Sequence, residues 1–102
     1  MTKLEKDIET KLRKMVAKHG GHCLKWVCPG WSGVPDRIIL LPGARVIFVE
    51  TKRPKGGKID PLQKVWQNWL TKLGFQHYFV HDEARVDYLE LVILDELGRG
   101  CR

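Results

Sequence analysis

The sequence predicts one α/β domain in the order α-β-β-β-α-β-α, a mixed sheet with helices on both faces. Three observations predict it. Two apolar runs rich in β-branched residues, 38–41 and 46–49, flank Pro42-Gly43-Ala44 and read as a β-hairpin. Apolar residues recur at helical spacing before the hairpin and twice after it, with one further strand-like run between the later two. The length, 102 residues, leaves room for a single modest core.

The first element is a helix over 2–19. Leu4, Ile8, Leu12, Met15 and Val16 form one apolar stripe, Thr2 with Glu5 gives a capping-box pattern, and Gly20-Gly21 stops the turn. Glu9 lies roughly 60° from Leu12 at about 100° per residue, on the border of the buried stripe. A carboxylate there reaches under the helix or pairs in solvent with Lys6 or Arg13. Residues 22–28 read as a strand. Cys23 and Cys28 lack a second ligand pair at metal spacing, so they are core or edge thiols. Residues 29–33 form a loop in which Trp31 either stacks on a nucleic-acid base or covers core.

The hairpin follows, and its outer end is charged. Glu50 and Lys52 share a face by strand alternation. A three-residue loop sets Leu41 opposite Arg45, and counting outward sets Asp36 opposite Glu50. Two carboxylates side by side repel unless something positive sits between them. Lys52 is one candidate and a divalent cation is the other, because an all-oxygen donor set suits Mg²⁺. Spacing alone leaves open a hairpin end with a solvated ion pair.

Beyond it, Arg53-Pro54-Lys55-Gly56-Gly57-Lys58 is a cationic loop suited to phosphate contact, without P-loop spacing. Asp60-Pro61 opens a second helix, with Leu62, Val65, Trp66, Trp69, Leu70 and Leu73 as its apolar face and Gly74 at its end. Trp66 and Trp69 are expected in the core, and Gln63 is either an exposed amide or a hydrogen-bond donor to the site. Residues 75–80 read as the last strand, its histidines structural. Asp82 caps a final helix over about 83–97, whose apolar surface suits either the sheet or a second copy of the chain.

Composition narrows the partners. Hydrophobic residues make up 43% and charged residues 29%, ordinary for a globular domain, and the net charge of +6 favours a polyanion such as nucleic acid. No apolar run follows the first residues, so no secretory signal is expected, and none reaches the length of a membrane span. Three cysteines fit reduced thiols better than a disulfide framework.

Pro35-Asp36 followed by Glu50-Thr51-Lys52 resembles the PD-(D/E)XK nuclease signature. With Gly33-Val34-Pro35-Asp36-Arg37, Val49 to Pro54, and Pro61-Leu62-Gln63, the chain resembles the VRR-NUC branch of that superfamily over about residues 4–81. The resemblance implies a restriction-endonuclease-like fold and metal-dependent phosphodiester hydrolysis. Asp36 and Glu50 would hold Mg²⁺ or Mn²⁺, with the Thr51 carbonyl as a further ligand and Glu9 (or Glu5 in its place) as the first-helix acid. Lys52 would activate the water and Gln63 support it. Arg37, Arg53, Lys55, Lys58 and Trp31 would contact DNA without reading sequence. It further implies a single nuclease domain that acts on branched DNA as a Holliday-junction-resolvase-like homodimer, in a bacterial or phage-infected cytoplasm. Two other classes compete: a non-catalytic nucleic-acid-binding module, which has no need of the acidic set, and a nucleotide phosphatase, which has no need of a basic groove.

Overall fold

The computed structural model describes residues 5–52 and 58–99, and of Glu5 only the backbone. Thr2, Leu4, Arg53, Lys55 and Cys101 lie outside these residues. The element order is the expected one: α1 (Glu5–Lys18), β1 (His22–Lys25), β2 (Arg37–Leu41), β3 (Arg45–Thr51), α2 (Pro61–Lys72), β4 (Gln76–Val80) and α3 (Glu83–Gly98). The four strands lie in sequence order, with β1, β2 and β3 antiparallel and β4 parallel to β3. The sheet is therefore mixed, because the β3–α2–β4 connection is a crossover and the others are not.

The hairpin has the three-residue loop. Leu41 pairs with Arg45, Gly43 and Ala44 take left-handed φ values of 81° and 61°, and Arg45 Nη1 donates to the Pro42 carbonyl at 2.8 Å. One face of the sheet carries the core. Ile8, Leu12, Met15 and Val16 of α1 and Val86, Leu89 and Ile93 of α3 close over Ile39, Leu41, Ile47, Val49 and Val80. α1 ends in a Schellman arrangement, Gly20 N–H to the Ala17 carbonyl and Gly21 N–H to that of Val16.

Strand β1 is shorter than the expected 22–28. Trp26 N–H donates to the Asp36 carbonyl, the chain then leaves the sheet, and Val27 is exposed. The other face departs further from expectation. α2 covers only part of it, so that of its apolar residues Leu70 alone is buried, while Leu62, Val65, Trp69 and Leu73 face solvent. Trp66 is half-buried, edge-on to Trp26, Trp31 and Trp69. Among the described residues no helix is long and apolar enough to cross a membrane.

His77 of β4 is buried, packs edge-on to Phe79, and its Nδ1 has no hydrogen-bond partner among the described residues. Burial depresses its pKa from 6.5 to about 4. Between these values the unfolded chain takes up a proton and the folded chain does not. Stability is therefore full above pH 6.5 and falls as the pH drops toward 4, at most about 1.4 kcal/mol per unit. His77→Phe is expected to flatten this part of the profile and to raise stability by about 1–3 kcal/mol, since no polar atom is left unpaired. Urea unfolding at pH 4.5 and 7.5 checks both expectations.

Candidate active site

The charged end of the hairpin divides into two groups, one on each face of β3. Pairing of Arg37 with Val49, extended by one residue, sets Asp36 opposite Glu50, as the loop length requires. The Asp36 carboxylate nevertheless turns toward Thr51. Strand β2 has ended at this level and offers no carbonyl to the Thr51 N–H, so the side chain takes that place. Thr51 N donates to Asp36 Oδ1 at 2.9 Å and Thr51 Oγ1 to Oδ2 at 2.5 Å.

Glu9 reaches the same point from α1. Its Oε1 lies 3.1 Å from Thr51 Oγ1, and its Oε2 lies 3.3 Å from Arg37 Nη2. The border position on the helix is what delivers it: α1 packs by Ile8 and Leu12, and Glu9 extends along the sheet toward the strand ends. Of Glu5, the alternative acid, only the backbone is described. Burial raises the Asp36 carboxyl above its ordinary value of 3.8, the Thr51 hydrogen bonds and Arg37 oppose the rise, and the charge of Glu9 adds to it. Cys23 lies near the same charges, and burial pushes its thiol up to about 11, so it is no nucleophile at neutral pH.

On the opposite face, Glu50 and Lys52 point the same way, with Lys52 Nζ 3.9 Å from Glu50 Oε2. Both are largely enclosed. Lys52 N–H donates to the Val80 carbonyl at 2.8 Å, which holds the end of β3 against β4. Asp36 is thus bonded to Thr51, while Glu50 faces Lys52. Among the described residues no three His, Cys, Asp or Glu side chains converge as a ready ligand set.

The donor chemistry still fits a hard divalent cation. The Thr51 hydroxyl has one proton and faces two carboxylate oxygens, at 2.5 and 3.1 Å, so at any moment one of them lacks its hydrogen bond. Among the described residues, three carboxylates, Glu9, Asp36 and Glu50, stand against two cationic side chains, Arg37 and Lys52, at one end of the sheet. An oxygen-only set with surplus negative charge is what Mg²⁺ or Mn²⁺ selects.

The flanking residues are placed as follows. Gln63 Oε1 accepts from the Asp60 N–H at 2.9 Å while the Asp60 carboxylate accepts from Leu62 N, so Gln63 closes a capping box on α2. The Asp60-x-x-Gln63 spacing is a signal for that box. Arg37 is mostly enclosed, its Nε without a partner among the described residues, and it faces Glu9 rather than solvent. Lys58 is exposed. Trp31 is 60% exposed and stands edge-on to Trp66, whose Nε1 donates to the Ser32 carbonyl at 2.9 Å.

Gly33 joins this loop to the site. Its φ is +85°, and an added Cβ would lie 2.6 Å from Leu62 Cβ and 2.8 Å from Leu62 carbonyl carbon. Gly33→Ala is expected to destabilise the protein by about 2–4 kcal/mol, from left-handed strain plus displacement of the first turn of α2. A lowered melting temperature together with reduced activity at temperatures where the variant is folded checks this expectation.

No family model matches the chain. A curated protein named "Putative nuclease p44", of Acyrthosiphon pisum secondary endosymbiont phage 1, is 46% identical over 72 residues, covering 71% of this chain and 76% of that protein. A solved structure described as a "VRR_NUC domain" superposes with a TM-score of 0.78 at 29% identity, covering 83% of this chain and 91% of the other.

Proposed function

Because this chain belongs to the VRR-NUC family of nucleases, we propose that it hydrolyses phosphodiester bonds in DNA with the help of Mg²⁺ or Mn²⁺. The observation that supports this most is the gathering of Glu9, Asp36 and Thr51 at the strand end that also carries Glu50 and Lys52. Asp36, Glu50 and the Thr51 carbonyl, with Glu9, would hold the metal. When bound, such a cation polarises a phosphoryl oxygen and lowers the pKa of a bound water.

The chain's own groups do the rest. Lys52, held by Glu50 on the enclosed side of β3, orients the attacking water and offsets charge that builds on the phosphorane-like transition state. The oxygen of the Gln63 amide is taken by the cap, so its NH₂ is the end that donates to the water or the scissile phosphate. Lys58, with Arg53 and Lys55 outside the described residues, supplies backbone contacts that carry no sequence information. Trp31, supported from behind by Trp66, presents a face on which an unpaired base stacks.

The substrate in this reading is branched DNA, cut by a homodimer with two sites for two opposed strands of a four-way junction. Tyr88, Leu91 and Leu94 on the outer side of α3 remain exposed in the single chain and offer a surface for the second copy. Sedimentation velocity at assay concentration, beside cleavage of a labelled four-way junction and of linear duplex, tests it. A dimer that nicks the junction faster than the duplex is expected. A monomer with no preference removes the resolvase-like part of the reading.

A further inference from the structure

Resting on that nuclease reading, we propose that Arg37 and the Thr51 hydroxyl are positioning residues that clamp Glu9 beside Asp36 and so set the spacing of the two carboxylates before any metal enters.

Glu9 and Asp36 come from different elements, and their like charges oppose a close approach. The approach is nonetheless built into the protein. Glu9 Oε2 lies 3.3 Å from the Arg37 guanidinium, and Oε1 lies 3.1 Å from the Thr51 hydroxyl. The Thr51 N–H donates to Asp36 Oδ1, and the one hydroxyl proton is shared between Asp36 Oδ2 and Glu9 Oε1. A single residue of β3 therefore lies between the two acids, and the residue after Asp36 offsets the charge of the one that arrives from α1.

The placement of Arg37 argues against the backbone-contact role that its charge suggested. Its side chain is only 14% exposed and its head group is turned to a carboxylate that is itself 23% exposed. A phosphate contact needs the guanidinium at the surface, whereas a clamp needs it where it is. Thr51 is 1% exposed, so its hydroxyl cannot serve solvent or DNA directly. Partners that orient metal-binding side chains commonly govern metal affinity about 10–100-fold when removed.

The test uses Mn²⁺ alone and a linear duplex as probes, on wild type, Thr51→Val, Thr51→Ser and Arg37→Gln, each checked for folding by thermal melting. Mn²⁺ affinity is read by electron paramagnetic resonance, and DNA affinity in EDTA over a series of salt concentrations. Thr51→Val and Arg37→Gln are expected to weaken Mn²⁺ roughly 10-fold or more. Thr51→Ser, which restores the hydroxyl, is expected to bind Mn²⁺ close to wild type, and none of the three should change the salt dependence of DNA binding. Should Thr51→Val fail to fold, Thr51→Ser and Arg37→Gln still decide the matter. Unchanged Mn²⁺ affinity in Arg37→Gln overturns the clamp, as does a salt slope reduced by about one, which marks a lost phosphate contact. Wild type that binds no Mn²⁺ and cuts no DNA overturns the nuclease reading itself, a result distinct from either of these.

Discussion

Lys52→Ala is expected to slow DNA cleavage roughly 10²–10³-fold, the usual cost of removing one positioned donor that stabilises developing charge. That loss corresponds to about 3–4 kcal/mol of transition-state stabilisation. The expectation rests on where Lys52 stands. It follows Thr51 directly, so the hydrogen bond from its backbone to Val80 and the grip of Thr51 on Asp36 fix its ammonium relative to both acidic groups. Its side chain is 15% exposed and lies 3.9 Å from Glu50, and an enclosed ammonium of this kind acts on a nearby water more strongly than a surface lysine would. Single-turnover cleavage at saturating enzyme reads the effect. DNA affinity in EDTA is expected to stay within about twofold, because one enclosed cation contributes little to backbone binding. Equal loss of binding and turnover would instead mark Lys52 as a phosphate contact.

Glu50→Gln is expected to have a comparable effect by another route. The amide keeps the shape of the side chain but removes the anionic oxygen and leaves Lys52 beside a neutral group. Divalent-cation binding should fall by one to two orders of magnitude, roughly the cost of losing a carboxylate from a hard-ion site. Cleavage should fall with it and recover partly at high Mn²⁺, which distinguishes weakened metal binding from a lost charge-stabilising group. Lys52→Ala should show no such recovery. Titrating cleavage rate against Mn²⁺ for both variants separates the two roles.

Much of this site was legible from residue order, and the illegible parts have definite physical causes. The three-residue loop fixed by Pro42, Gly43 and Ala44 determines the register, and the register determines that Asp36 and Glu50 stand opposite one another. The shared face of Glu50 and Lys52 follows from alternation alone. Helical periodicity carried Glu9 to the border of the core, which is where α1 delivers it to Thr51. Alternation does not fix the direction of a carboxylate at a strand end. There Asp36 answers an N–H that has lost its ladder partner, and only the ending of β2 reveals that demand. The same limit applies to Arg37, which reads as one more basic residue in a basic chain until α1 brings an acid over it.

The second helix shows a different limit. Its apolar face is plain in sequence, but periodicity does not say how much of that face the sheet can cover. With α1 and α3 together on one side of a four-stranded sheet, α2 alone leaves Leu62, Val65, Trp69 and Leu73 at the surface. Gln63 was readable in two ways at once. Its place in the chain resembles that of a site glutamine, and its spacing from Asp60 forms a capping box, which the structure contains.

Whether this chain is a metal-dependent nuclease is decided by cleavage, by the wild-type protein, of labelled junction, flap, linear duplex and single strand, beside free nucleotides, each in EDTA, Mg²⁺ and Mn²⁺. DNA cleavage is expected in both metals, with none in EDTA and no hydrolysis of free nucleotides. DNA bound but uncut under every condition would contradict it and point to a binding module, and hydrolysis confined to free nucleotides would point to a phosphatase.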